Sequence, residues 1–357
     1  MRIGADVKFS GGSSTLAPSP VATLDVLEEL GFRGILVRTL DEAFPTLDPV
    51  GIAAFAREAD ARGFAVQVGV GKINPYMTAE LPRVRDLGDG SYLAGMQRLI
   101  RICAEYGWTE PWTASGGYKH GLPAPYCFDR FRTDVTWADQ LEATSRFIGK
   151  LAPTLRATDV RLNIETHEEI TTRELLRLVA EHGDDVLGVC LDPANLPVRG
   201  EAFGPAVDRV AAITRTTHLR DAIVARSEHG LSRFLAPVGD GAIDWRPLLA
   251  TLLTASPDVQ LFIEGIGGSR AEMILDPEDP LWRAADPGLD DIELAELGRL
   301  ADDHAIRAAR GEAPGLAELR LEGGDAGAQL REFLGRSLAA LQAVLETVGA
   351  RTEARAS

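Results

Sequence analysis

Positive charge is what this chain lacks most. Its 357 residues carry 37 Lys and Arg against 53 Asp and Glu, a formal net charge of −16. Such a surface repels phosphate backbones and anionic bilayers, so neither nucleic acid nor a membrane surface is expected as a partner. Cysteine is equally scarce. Cys103, Cys127 and Cys190 are odd in number, irregularly spaced and without a CxxC pair, which excludes a disulfide framework or a thiolate zinc ribbon and points to reduced thiols in a cytoplasm. No apolar run reaches the ~18 residues of a membrane span. The opening MRIGADVKF has no signal-peptide core and runs directly into a strand pattern. No GxGxxG or phosphate-binding loop follows that first strand, which argues against an open nucleotide-binding sheet.

What the sequence does contain is a series of apolar strands ending on metal-competent residues. LNIETHEEI (Leu162 to Ile170) carries Glu165, VCLDPANLP (Val189 to Pro197) carries Asp192, TTHLRDA (Thr216 to Ala222) carries His218, and LFIEGIGG (Leu261 to Gly268) carries Glu264. An ionised carboxylate at the end of a buried strand costs several kcal/mol unless something pairs with it. Successive gaps of 27, 26 and 46 residues suit βα units, so parallel strands would present all four side chains at one pole. Three carboxylates and one imidazole describe a divalent-ion site. Singly, each residue has a plainer reading: Asp192, before Pro193, also suits a helix cap.

The rest of the chain supports a (β/α)8 barrel. Strands are expected at Ile3 to Phe9, Gly34 to Thr39, Phe64 to Val70, Trp108 to Ala114, Val160 to Glu165, Val186 to Asp192, Arg215 to His218 and Val259 to Glu264, with helices between them. Pro20, after Ser19, and Pro49, after Asp48, open helices that Gly31 and Gly63 close. Short continuous apolar strands suit a buried parallel sheet, and barrel enzymes build their sites at the C-terminal strand ends. Ser115 to Thr133 and Asp221 to Gly241 read as long loops. The chain is expected to be one domain, 1–357, with an insertion at about 276–327 and the last barrel helix at 328–349.

In this order, the four ligand segments and VGDGAIDW (Val238 to Trp245) resemble the sugar isomerase/epimerase superfamily of xylose isomerase-like barrels. The resemblance covers about residues 1–270 in layout. In the D-tagatose and D-psicose 3-epimerase branch the matching Glu, Asp, His and Glu bind Mn2+ or a similar ion. The resemblance thus implies Glu165, Asp192, His218 and Glu264 as ligands of Mn2+, with Co2+, Mg2+ or Zn2+ as substitutes. It also implies Glu165 and Glu264 as an acid/base pair. That branch commonly has a His three residues after the Asp, where this chain has Asn195.

His167, two residues past Glu165, is a further proton-carrying candidate. Arg220, Asn195, Lys72, Trp112 and His120 are candidates for substrate contacts, Arg220 having a salt bridge to a barrel acid, and Trp112 an apolar plug, as alternatives. Asn74, Tyr118, Lys119, His229 and Asp240 belong to the same rim. The implied chemistry is isomerisation or epimerisation of a keto sugar or its derivative through an enediolate. The same superfamily contains lyases, both dehydratases and C-glycoside-cleaving enzymes. Its endonuclease IV branch needs more histidine and a basic groove, against six histidines and the charge of −16 here. A small carbohydrate or glycoside is the expected partner, with room for a homo-oligomer or an accessory subunit. Gly265, Gly267 and Gly268 alone do not support a sugar phosphate.

Overall fold

The computed structural model describes residues 2–9, 15–77, 81–119, 121–122, 126–285 and 288–356. Seven strands come first: Ile3–Val7 (β1), Gly34–Val37 (β2), Ala65–Val68 (β3), Trp112–Thr113 (β4), Leu162–Glu165 (β5), Leu187–Leu191 (β6) and Thr214–Thr217 (β7). A hairpin, Asp221–Ser227 (β8) and Gly230–Ala236 (β9), precedes Leu261–Ile263 (β10) and Met273–Leu275 (β11). β10, β1, β2 and β3 pair in parallel in that order, as do β4, β5, β6 and β7. Parallel bridges Gly69–Trp112 and Thr216–Gln260 join the two sets and close the (β/α)8 barrel.

Strand alternation separates two apolar layers. Ile35, Val37, Leu162, Ile164, Val189, Leu191, Leu261 and Ile263 pack outward under the helices. Leu36, Trp112, Cys190 and Phe262 fill the interior. The inward parity thus carries on to Asp6 and Lys8, Arg38, Glu165, Asp192, His218 and Glu264 at the C-terminal rim. A register shift between Val189 and Cys190 sets Cys190 beside Thr216 and Leu191 beside Thr217. This bulge brings the next residues, Asp192 and His218, level with each other.

The segment expected as a long loop, Asp221 to Gly241, is instead mostly the β8–β9 hairpin. β11 adds antiparallel to β9, making a three-stranded sheet outside the barrel. Two runs of strand-forming residues flank Glu228-His229-Gly230, and Gly230 adopts φ +90°, so the turn has a local cause. The helix Asp291–Ala309 lies against β8, where Arg226 pairs with Asp302 at 2.8 Å. The long helix Ala326–Ala356 packs against the helix Trp245–Ala255. No helix among the described residues is long and apolar enough to cross a membrane.

One buried carboxylate ties the hairpin to the barrel. Asp221 accepts from the backbone N–H of Gly239 (3.0 Å) and Ile243 (3.1 Å) and from the Trp245 indole N–H (2.7 Å). Gly239 has φ +90°, and a Cβ at Gly241 would lie 2.1 Å from Asp221 Oδ1, so both glycines are required by this turn. Asp221→Ala leaves these three donors and the Ala222 N–H (2.8 Å) without their acceptor and is expected to lower stability by about 3 kcal/mol. An unchanged urea midpoint at unchanged slope would show that the turn is held by other contacts.

Candidate metal centre

The rim begins with three residues at strand ends. Glu165 closes β5, His218 follows β7 and Glu264 follows β10, each buried. One donor atom from each lies within 4.8 Å of the others. His218 Nδ1 is 2.8 Å from Glu165 Oε1 and 3.8 Å from Glu264 Oε2. The Trp112 ring stands edge-on to the His218 ring, 4.6 Å between centroids, and fixes its plane.

Asp192 does not enter this cluster. Its Oδ2 accepts from Arg220 Nε (2.8 Å), Arg220 Nη2 (2.5 Å) and Asn195 Nδ2 (2.9 Å), and its Oδ1 caps the following turn by accepting from Ala194 N–H (3.0 Å). Arg220 also reaches Glu264 Oε2 at 3.1 Å, so it joins Asp192 to the cluster. A second guanidinium, Arg38, lies 2.5 Å from Glu264 Oε1 and pairs with Asp6. Sequence reading passed over Asp6 and Arg38. Their signal was inward parity on the first two strands, the same rule that placed Glu165.

These neighbours set the charge states. Burial alone would raise Glu165, but the facing His218 and, further off, His167 hold it down at about 2. Glu264 is likewise pushed up by burial and carried well below the usual carboxylate range by Arg220 and Arg38. Asp192 is raised to about 7, chiefly by burial, with Arg220 opposing and Glu264 and Glu165 adding to the rise. Burial disfavours a charged His218, yet Cys190 and Glu165 lift it well above an ordinary histidine.

The donor set fits a divalent cation. Two ionised carboxylates and an imidazole converge in a dry site. The buried His218 Nε2 has no hydrogen-bond partner among the described residues. Here the positive charge that such carboxylates require comes from protonated His218 and the two guanidinium groups.

The remaining sequence candidates fall around this centre. His167 bridges Glu168 (3.0 Å) and Glu169 (2.5 Å); against the cost of burial, these two acids raise it to about 10, so it can give a proton more readily than take one. Glu168 in turn accepts from Arg233 Nη2 at 2.8 Å, a buried arginine brought in by β9. Asn195 Oδ1 faces Arg233 at 3.4 Å. Trp112 fills the barrel interior, its apolar-plug alternative, and Arg38 stacks over its ring. Lys72 Nζ donates to the Gly116 carbonyl, and Asn74 donates to Gln140 at 2.9 Å. Lys119 pairs with Asp129 at 2.6 Å, Tyr118 is exposed, and Asp240 pairs with Arg336. His229 sits at the hairpin tip, away from the cluster. His120 lies outside the described residues.

Comparison with known proteins agrees with the barrel fold. A family model described as a xylose isomerase-like TIM barrel matches residues 24–285. The chain is 26% identical over 114 residues to a 3-oxo-isoapionate decarboxylase of Pectobacterium atrosepticum, covering 31% of this chain and 42% of the relative. The chain thus spans about two fifths of the length of the curated relatives it matches. Among solved structures, an L-ribulose 3-epimerase superposes with a TM-score of 0.56 at 16% identity, over 100% of this chain and 98% of that one. A xylose isomerase-like barrel protein from Mycobacterium smegmatis, in complex with magnesium, gives 0.54 at 16% identity, over 84% and 97%. At these identities the structures speak to the fold alone.

Because His218 is held protonated, ion binding through its imidazole must expel a proton. Titrating chelator-treated protein with Mn2+ near pH 7 is expected to release about one proton per ion, read by calorimetry in buffers of different ionisation heat. His218→Ala should weaken Mn2+ by more than ~100-fold, beyond the 10–100-fold typical of a supporting residue. Mn2+ binding without proton release, or undiminished in His218→Ala, would remove His218 from the ligand set.

Proposed function

The chain belongs to the xylose isomerase-like TIM barrel family, and from that membership we propose that it is a divalent-metal-dependent isomerase or epimerase of a sugar or keto-sugar derivative. The observation that carries the reading is the convergence of Glu165, His218 and Glu264 within 4.8 Å at the C-terminal pole of the barrel. These three would hold the ion, Mn2+ first, with Co2+, Mg2+ or Zn2+ as substitutes. Asp192 would join them only as Arg220 withdraws from its Oδ2. A bound ion would supply a Lewis acid for adjacent carbonyl and hydroxyl oxygens of the sugar, acidifying the C–H between them.

The protein's own groups then account for proton movement. Glu165 and Glu264 are both ionised at neutral pH, so either can begin as the base. Both face His218 Nδ1, Glu165 at 2.8 Å and Glu264 at 3.8 Å, and come from different strands, so one can take a proton while the other returns one. Return to the same carbon gives epimerisation; return to its neighbour gives an aldose–ketose exchange. Arg220, between Asp192 and Glu264, can hold a substrate oxygen with its remaining donors. Trp112 and the closed barrel floor exclude water beneath the reacting carbon. The three buried cysteines, none of them in a disulfide, support a cytoplasmic enzyme.

A second reading is a lyase on the same scaffold, favoured by two observations. One is the similarity to a decarboxylase. The other is His167, held protonated near 10 beside the site and able to serve as an acid for a leaving group.

Glu264→Gln keeps a coordinating oxygen but loses the basicity of a carboxylate. It is expected to retain measurable Mn2+ binding while turnover falls by ~100-fold or more. Incubation of the Mn2+-loaded protein with keto sugars and glycosides in D2O separates the readings. Deuterium uptake without elimination supports an isomerase or epimerase, whereas release of water, CO2 or an aglycone selects the lyase. Solvent exchange at the wild-type rate in both Glu165→Gln and Glu264→Gln would refute a proton-transfer role for this pair.

A further inference from the structure

Lys8 and Arg38 share the wall beside the metal centre, and Asp6, which lines it too, pairs with Arg38 rather than with Lys8. Lys8 follows β1 and Arg38 follows β2, both at inward parity. With Asp6, Val7, Gly265 and Leu330, among others, they line a narrow cavity of ≈ 20 Å³ next to Glu264. Arg38 uses Nη2 for Asp6 and Glu264. Its Nε is buried without a partner, and its Nη1 makes no hydrogen bond to any described residue. The Lys8 ammonium has no ion pair or hydrogen bond among the described residues, although it is half-buried. Its affinity for a proton is lowered, first by repulsion from Arg38 and then by burial. Lys8 is thus a partly buried ammonium without a counter-ion among the described residues, and an incoming anion would offset its repulsion from Arg38.

We infer that the substrate is a sugar acid, whose carboxylate is bound by Lys8 and the free donors of Arg38 while its oxygenated carbons lie toward Glu165 and Glu264. This rests on the reading of the centre as a sugar-modifying site. The cavity admits about one water-sized group, which suits the edge of a planar carboxylate better than a tetrahedral phosphate. The glycines of the adjoining loop do not form a phosphate cradle. A Cβ at Gly265 would lie 2.5 Å from Leu330, and one at Gly267 would lie 2.1 Å from the Ala326 carbonyl, so both serve the packing of the C-terminal helix.

The test is calorimetric binding of D-gluconate and of its neutral analogue D-glucitol to the full-length, Mn2+-loaded protein. Gluconate is expected to bind at least ~10-fold more tightly, the scale of one charge-assisted contact. Lys8→Gln should remove most of that preference, and Lys8→Arg should keep it, with thermal melting confirming that both variants fold. Equal binding of the two ligands, no gluconate binding at millimolar concentration, or full preference in Lys8→Gln overturns the assignment. Inorganic phosphate displacing gluconate at lower concentration than acetate overturns it in favour of a phosphate. Failure of this inference is distinguishable from failure of the proposed function. Neutral keto sugars exchanging deuterium while acids neither bind nor exchange defeats only the inference. Selective acid binding with no exchange or elimination on any substrate defeats only the proposed reaction.

Discussion

Repulsion among carboxylates confined to one buried pole is the constraint around which this barrel is built. Asp6, Glu165, Asp192 and Glu264 are each no more than 7% exposed. Unpaired, any of them would cost several kcal/mol or take up a proton. The barrel meets that cost with Arg38, Arg220 and a protonated His218, each bonded to at least one of the four. The same arrangement explains why Asp192 titrates so differently from Glu165. Arg220 is shared between Asp192 and Glu264, while Glu165 has the charged imidazole 2.8 Å away. A centre so arranged is poised to exchange internal cations for an external one.

The second organising feature is the hairpin that leaves the barrel straight after His218. Asp221 anchors its base against the turn before the next barrel helix, and Arg233 on its return strand reaches Glu168 and Asn195. The acids beyond β5 are thereby tied to the segment beyond β7. His167 belongs to this network through Glu168 and Glu169. Positioning of the rim is thus shared between the parallel strands and an antiparallel sheet outside them. This is consistent with the general tendency of barrel sites to be varied through their βα connections.

Much of this was legible in the residues. Strand-end Glu165, His218 and Glu264 were visible because an acid or imidazole terminating an apolar run is costly without a partner, and spacings that suit βα units put them at one pole. The family emerged from the same segments. The hairpin was overlooked although Ala222 to Arg226 and Leu231 to Ala236 are reasonable strands around a glycine turn, because the alternation of strand and helix suggested a plain loop. Lys8 and Arg38 were legible only by parity, since nothing in a sequence says which of two faces an isolated basic residue shares with an acid forty or two hundred positions away.

By itself, then, the sequence determined the closed parallel barrel and the pole at which its polar residues gather, because apolar periodicity and element length are local properties. Only the tertiary structure decided how the charges are partitioned. Asp192 could have been a ligand, a cap or an ion-pair partner by its position in the chain. It caps Ala194 and pairs with Arg220 because a guanidinium from the following βα unit lies within 2.8 Å, a distance set by the bulge between β6 and β7 and by closure of the barrel. Coulomb energy depends on separation in space, and separation in space is what the linear order of residues does not record.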